Sequence, residues 1–190
     1  SLIKAKVDEA LIGTDAYISL NNIRDVNVLI SGNAKKPGVY TLTGNSNILH
    51  ALSVAGGVNE YGSYREINLL RNNKIIETLD VYDILINGNY NLKKRLRSGD
   101  VVFVEPRKNV ISVVGAVKRP AKYELNDNEF LDSALSFANG IKQTADLQNI
   151  SLERLLDGSL KSLPIQNISQ FASIIAIEGD LIYVREYAYR

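Results

Sequence analysis

The stretch VLISGNAKKPGVYTL, residues 28–42, decides the fold, because ISVVGAVKRPAKYEL at 111–125 repeats it 83 residues later. The correspondence runs without a gap from Val28–Val58 onto Ile111–Ile141. Gly32, Lys35, Pro37, Tyr40, Leu42, Asn45, Ala51, Leu52, Ser53, Ala55 and Gly57 recur as Gly115, Lys118, Pro120, Tyr123, Leu125, Asn128, Ala134, Leu135, Ser136, Ala138 and Gly140. These are 11 identities in 31 positions. Unrelated segments share about two, so the chain holds two copies of one module. Ile67, Leu69 and Arg71 fall on Ile150, Leu152 and Arg154 at the same offset, and Gly99-Asp100 falls on Gly179-Asp180 at an offset of 80, which makes the second copy three residues shorter inside.

Each copy reads as mixed α and β structure. Val26, Val28 and Ile30 alternate as in a half-buried strand, Asn33 to Lys36 turn the chain, and Pro37-Gly38 open a second strand through Tyr40 and Leu42. Proline suits a strand's first position, where the missing donor is spared. Ile48, Leu49, Leu52 and Ala55 have helical spacing, with Asn45 or Ser46 placed to cap them and Gly56-Gly57 to end the helix. In the second copy Asn128 precedes the helix, Phe130, Leu131, Ala134, Leu135 and Ala138 run along it, and Gly140 follows. Ile67–Leu69 and Ile75-Ile76 flank a hairpin turn at Arg71-Asn72-Asn73, and Val81 to Ile86 suit a short helix. The apolar quartets Val101–Val104 and Leu181–Val184 predict central strands covered on both faces. The expected class is therefore α+β: two tandem β-grasp modules, each a mixed sheet packed on one main helix, at 46–55 and 129–138. Modules of this size are only modestly stable alone.

Composition restricts function more by exclusion. Of the 190 residues, 45% are hydrophobic and 23% charged, and the net charge is +1. The part up to Asn109 holds 14 Lys/Arg against 11 Asp/Glu and the remainder 8 against 10, about +3 and −2. Neither value calls for a nucleic acid partner. No apolar run reaches the 18 or so residues needed to span a bilayer. Lacking Cys, Met and a leader, the sequence reads as a piece of a longer protein suited to an oxidising compartment. Leu2, Ile3, Val7, Ala10 and Leu11 suit an amphipathic helix, and Ala16, Ile18 and Leu20 a strand, so 1–24 looks like the tail of a preceding domain. The modules then occupy 25–106 and 107–190, and the short join Glu105-Pro106-Arg107-Lys108-Asn109, poor in Gly and Ser, predicts a fixed angle between them.

The pattern Val-x-Ile-x-Gly-x-x-x-x-Pro-Gly-x-Tyr-x-Leu from Val28, with a helix ending Ala55-Gly56-Gly57, resembles the SLBB module, a soluble ligand-binding β-grasp. The second copy is similar at Val113, Gly115, Lys118-Arg119-Pro120, Tyr123, Leu125 and Ala138-Asn139-Gly140, with Ala121 for Gly38 and Asn139 for Gly56. The first copy has His50 where an acid often precedes the helical Ala. Asp80 to Leu85 and Arg97 to Val104 are similar to what separates such modules in polysaccharide export outer-membrane proteins, the Wza-like family. The resemblance covers about Asp25 to Val184 and implies that residues 1–24 end that family's export domain. It also implies a homo-oligomer, a capsular or exopolysaccharide chain as cargo, an inner-membrane export partner, and a periplasmic location at the outer membrane of a Gram-negative bacterium. The family's membrane-crossing segment and lipid-bearing Cys fall outside these residues.

The candidate chemistry is sparse. His50, the sole His, has no Cys or acid at triad or metal spacing and reads as a helix-surface residue. Asp80 and Asp83 suit capping, and Gly56-Gly57 lacks the Lys-Ser/Thr of a phosphate loop. No catalytic, cofactor or metal residues are assigned, and an enzyme is not expected. Lys93, Lys94, Arg95 and Arg97 form the one dense basic cluster, a contact for a polyanion or a neighbouring subunit, or else a charged edge that discourages sheet-to-sheet pairing. Tyr183, Tyr187 and Tyr189 would share a strand face with Arg185, either to stack on sugar rings or to continue towards a further module. A structural, ring-forming portion of an exporter leads, with a free-standing ligand- or carbohydrate-binding module as the alternative.

Overall fold

Two separate five-stranded sheets, one per copy, account for the strands among the described residues. The structure, a computed structural model, describes residues 24–187 and, ahead of them, Lys6 and Glu9, both helical. The expected helix and strand between Leu2 and Leu20, and Tyr189, lie outside the described residues apart from those two positions. In the first module β1 (Asp25–Gly32), β2 (Gly38–Thr43), β3 (Gly62–Arg71), β4 (Lys74–Leu79) and β5 (Val101–Pro106) lie in the order β2-β1-β5-β3-β4. In the second, β6 (Asn109–Gly115), β7 (Ala121–Leu125), β8 (Ala145–Leu156), β9 (Ser159–Ile165) and β10 (Leu181–Glu186) lie as β7-β6-β10-β8-β9. In each sheet the first and last strands pair in parallel at the centre and the other pairs are antiparallel. Helices α1 (Ile48–Val54) and α2 (Val81–Asn87) belong to the first module. Helix α3 (Leu131–Phe137) and a 3₁₀ turn at Ile168–Ser173 belong to the second.

One face of each sheet is dry. Val28, Ile30, Ile67, Leu69, Val102 and Val104 pack beneath Ile48, Ala51 and Leu52 of α1, and Ile111, Val113, Ile150, Leu152, Ile182 and Val184 pack beneath Leu131, Ala134 and Leu135 of α3. Each such aliphatic side chain contributes roughly 1.5–3 kcal/mol of transfer free energy. The repeated residues build repeated local geometry. Gly32 and Gly115 have positive φ, 71° and 88°, and a Cβ on either would run into a carbonyl oxygen of the central strand, that of Val104 or Val184. Tyr40 and Tyr123 each donate a hydroxyl hydrogen bond to the carbonyl of the residue four earlier, Lys36 at 2.7 Å and Arg119 at 2.6 Å, and so brace the β1–β2 and β6–β7 turns.

Three expectations are corrected. The main helices are shorter than 46–55 and 129–138. The cap of α1 is Asn47, not Asn45 or Ser46: its side chain accepts from the His50 N–H at 3.1 Å while His50 Nδ1 accepts from the Asn47 N–H. Phe130 stands at the N-cap of α3 with no side-chain cap, and the Leu131 N–H donates instead to the Ile174 carbonyl at 2.9 Å. The apolar quartets are central strands, but among the described residues only one face is covered, because none of the described helices crosses the other. Val101 and Phe103 are half-buried, and Tyr183 is 42% exposed.

Candidate functional site

The first module's β3 begins five residues before the sequence pattern suggested, and this extension brings Arg65 to the second module. Arg65 is 9% exposed, and its Nε and Nη2 each reach Asp80 at 3.0 Å while Nη1 reaches Glu129 across the junction. The guanidinium also lies 5.3 Å from the Tyr82 ring centre and 5.2 Å from that of Phe137. Tyr82 and Phe137, one from each module, meet edge to face at 5.1 Å. Burial opposes the charge on Arg65, but its hydrogen bonds to Glu129 and then Asp80 outweigh that cost and hold its pKa above the ordinary value.

Further polar links surround this contact. The buried Glu124 carboxylate accepts from the Tyr64 N–H at 2.9 Å and the Lys108 N–H, and the Glu124 N–H donates to the Tyr82 hydroxyl at 3.1 Å. Burial pushes the Tyr82 phenol pKa up. Lys108, in the join itself, reaches Glu66 at 2.8 Å and Asp127 at 3.0 Å, and hydrogen bonds to Glu66 first and Asp127 second raise its pKa. A cleft of about 290 Å³ opens beside the seam between Tyr64, Tyr82, Arg107, Lys122 and Glu124. The Asp80, Glu124, Glu129, Glu66 and Asp127 carboxylates here accept from backbone N–H groups or pair with cations, so the two modules meet through satisfied polar contacts.

The basic cluster is brought together on an irregular segment between α2 and β5, not on a strand, and lies against β4, an edge strand of the first sheet. Glu77 on β4 accepts from the N–H groups of Lys93 and Lys94 at 3.1 and 3.2 Å. Arg95 donates to the Asn45 carbonyl at 2.8 Å, the Arg97 N–H donates to Asp100 at 2.8 Å, and all four basic side chains are exposed. His50 caps α1 and Asp80 caps α2, both structural roles. Among the described residues no three His, Cys, Asp or Glu side chains gather as a metal site.

Residues 26–104 and 110–161 both match the SLBB domain family. The chain is a tandem pair of SLBB domains. Membership makes the SLBB pair a structural module rather than an enzyme. Two curated Escherichia coli proteins, both named polysialic acid transport protein KpsD, are each 33% identical to it over 141 residues. The match takes in 73% of this chain and 25% of each relative, so the chain spans about a quarter of their length. Among the described residues no helix is long and apolar enough to cross a membrane.

Arg65, Glu124, Glu129 and Phe137 of the seam were not singled out from the sequence, although a signal for them exists. Phe137 aligns with Val54, Glu124 with Thr41, Glu129 with Ser46 and Arg65 with Gln148. Each is a position where the repeat breaks towards a larger or charged residue in one SLBB domain only.

Proposed function

We propose that the SLBB pair is the periplasmic structural portion of an outer-membrane polysaccharide exporter and works by assembly into a conduit rather than by chemistry. The observation that supports this most is the locked seam, with Arg65 held between Asp80 and Glu129 and stacked on Tyr82 and Phe137. Two β-grasp modules at a fixed angle make a stiff strut, and struts placed side by side in a homo-oligomer make a wall. In this reading residues 1–24 close a preceding export domain, 25–106 and 107–190 are the two strut modules, and an inner-membrane partner of a Gram-negative cell delivers the polysaccharide. The relatives' name gives an anionic polymer, polysialic acid, as the class of cargo. Lys93, Lys94, Arg95 and Arg97 are the side chains proposed to face that polymer or a neighbouring subunit, with one Arg95 N–H donated to the Asn45 carbonyl. No cofactor is required.

The test is deletion of 26–186 from the full-length protein, reading surface polysaccharide and oligomer size. Loss of both supports the proposal. Normal export from an unaltered oligomer overturns it.

A further inference from the structure

The open faces of the two sheets differ at one place. In the first module Phe103 of β5 lies beside Asn68 of β3, which pairs in turn with Thr78 of β4. The polar groups there satisfy one another: Asn68 donates to Glu105 at 3.0 Å and Thr78 donates to Asn68 at 2.7 Å. In the second module the corresponding positions on β10, β8 and β9 are Tyr183, Ser151 and Pro164, and Glu105 is replaced by Arg185. The short Ser151 and the ring of Pro164 cannot bridge to their neighbours, and a groove of about 250 Å³ opens instead. Tyr183 is 42% exposed on its floor, Ser162 and Gln148 offer hydroxyl and amide groups at its sides, and Arg185 is the only charged residue lining it. Among the described residues neither the Tyr183 hydroxyl nor the Arg185 guanidinium has a hydrogen-bond partner, whereas Arg71 and Arg154 elsewhere in the fold are paired with Asp100 and Asp180.

We propose that this groove is a subsite for a carboxylated sugar residue of a polysaccharide. The C–H face of a pyranose ring covers the Tyr183 ring, the carboxylate pairs with Arg185 in the forked geometry a guanidinium offers, and Ser151, Ser162 and Gln148 bond the ring hydroxyls. The shape fits one residue of a chain entering and leaving at the open sides, and the single positive charge selects acidic over neutral sugars. An open shallow groove of this kind binds weakly, which suits a polymer that must keep moving. The choice of ligand rests on the export reading, and it gives the polymer a contact on the open sheet face of the second module.

The experiment is a titration of the 190-residue chain with tetragalacturonate and, separately, with neutral cellotetraose, followed by amide NMR shifts. Tetragalacturonate is expected to shift Ser151, Ser162 and Tyr183 saturably at millimolar concentration, at least about tenfold more tightly than cellotetraose. Arg185→Gln should remove the preference for the acidic sugar, and Tyr183→Ala should weaken both ligands, with the remaining spectrum unchanged because both side chains are exposed. Shifts centred on Lys93 to Arg97, an undiminished preference for tetragalacturonate in Arg185→Gln, or no saturable shift at all would overturn the subsite. Such a failure is separable from that of the export reading, which is decided by oligomer size and surface polymer in the deletion.

Discussion

Arg71 grips Asp100 with two parallel hydrogen bonds, Nε to Oδ1 at 2.8 Å and Nη2 to Oδ2 at 2.7 Å. Arg154 and Asp180 repeat it at the same two distances in the second SLBB domain. Each carboxylate is 1% exposed and takes one further N–H from the loop before the central strand, that of Arg97 or Ile177. Each arginine returns a bond to a loop carbonyl, that of Arg95 or Ile175. The hydrogen bond to Asp100 is the main cause that raises the Arg71 pKa, and Asp180 does the same for Arg154. The pair ties the long connection to the strand that completes each sheet.

Asp100→Ala is expected to destabilise the first module by about 3 kcal/mol, the lower end of the range for breaking a buried pair because Arg71 still reaches solvent. Asp180→Ala should do the same in the second. Replacing both Arg71 and Asp100 by Leu should cost less than Asp100→Ala alone, since no charge is then stranded. Urea unfolding gives the values, and a loss under about 1 kcal/mol for Asp100→Ala would show that the loop is held by other contacts.

Gly115→Ala and Gly140→Ala separate backbone strain from steric conflict. Both positions have positive φ, 88° and 79°, but a Cβ at Gly140 meets open space while one at Gly115 meets the Val184 carbonyl. Gly140→Ala should cost about 1 kcal/mol, the left-handed penalty alone. Gly115→Ala should cost at least about 2–3 kcal/mol, because the central β6–β10 pairing must also shift. Equal losses in thermal unfolding would contradict the reading.

Arg65→Met leaves two half-buried carboxylates, Asp80 and Glu129, without their shared cation. The expected outcome is a loss of about 3 kcal/mol together with a widened distribution of inter-domain angles. Amide residual dipolar couplings should still fit each SLBB domain separately but no longer fit one common alignment frame. A single frame for Arg65→Met would show that the join alone sets the angle.

Alkaline pH should loosen the seam. The Tyr82 phenol has its pKa raised by burial, above the 10.0 of an unperturbed tyrosine. A raised folded value means that the native state holds the proton longer, so the stabilisation is complete below about pH 10 and is lost as pH rises through the folded value. Lys108, also raised, acts in the same direction above its ordinary 10.5. Tyr82→Phe keeps the ring against Phe137 but removes the titrating group, so its stability should fall less steeply above about pH 10. Superimposable pH profiles of the two proteins would count against the assignment, with Tyr123, also raised by burial, contributing equally to both.

The repeat was legible because duplication preserves what each module needs by itself. Pro37 and Pro120 open strands, Gly32 and Gly115 admit a close backbone approach, and Ile67, Leu69, Ile150 and Leu152 face inward at strand spacing. The turn at Asn72-Asn73 was legible for the same local reason, since both residues tolerate the positive φ they adopt, 50° and 59°. The cap of α1 was misplaced by one or two residues because Asn45, Ser46 and Asn47 are all good caps, and only the His50 contact selects among them.

Sequence alone therefore determined two α+β SLBB domains, their strand spacing, and the central position of Val101–Val104 and Leu181–Val184. Those properties follow from side-chain periodicity and backbone preference over a few neighbouring residues. Tertiary structure alone decided that Arg65 pairs with Glu129, that Tyr82 meets Phe137, and that the sheet face bearing Tyr183 and Arg185 lies open. Arg65 and Glu129 are 64 residues apart. No local preference specifies their meeting, which follows from how two finished modules pack across a join too short to let them separate.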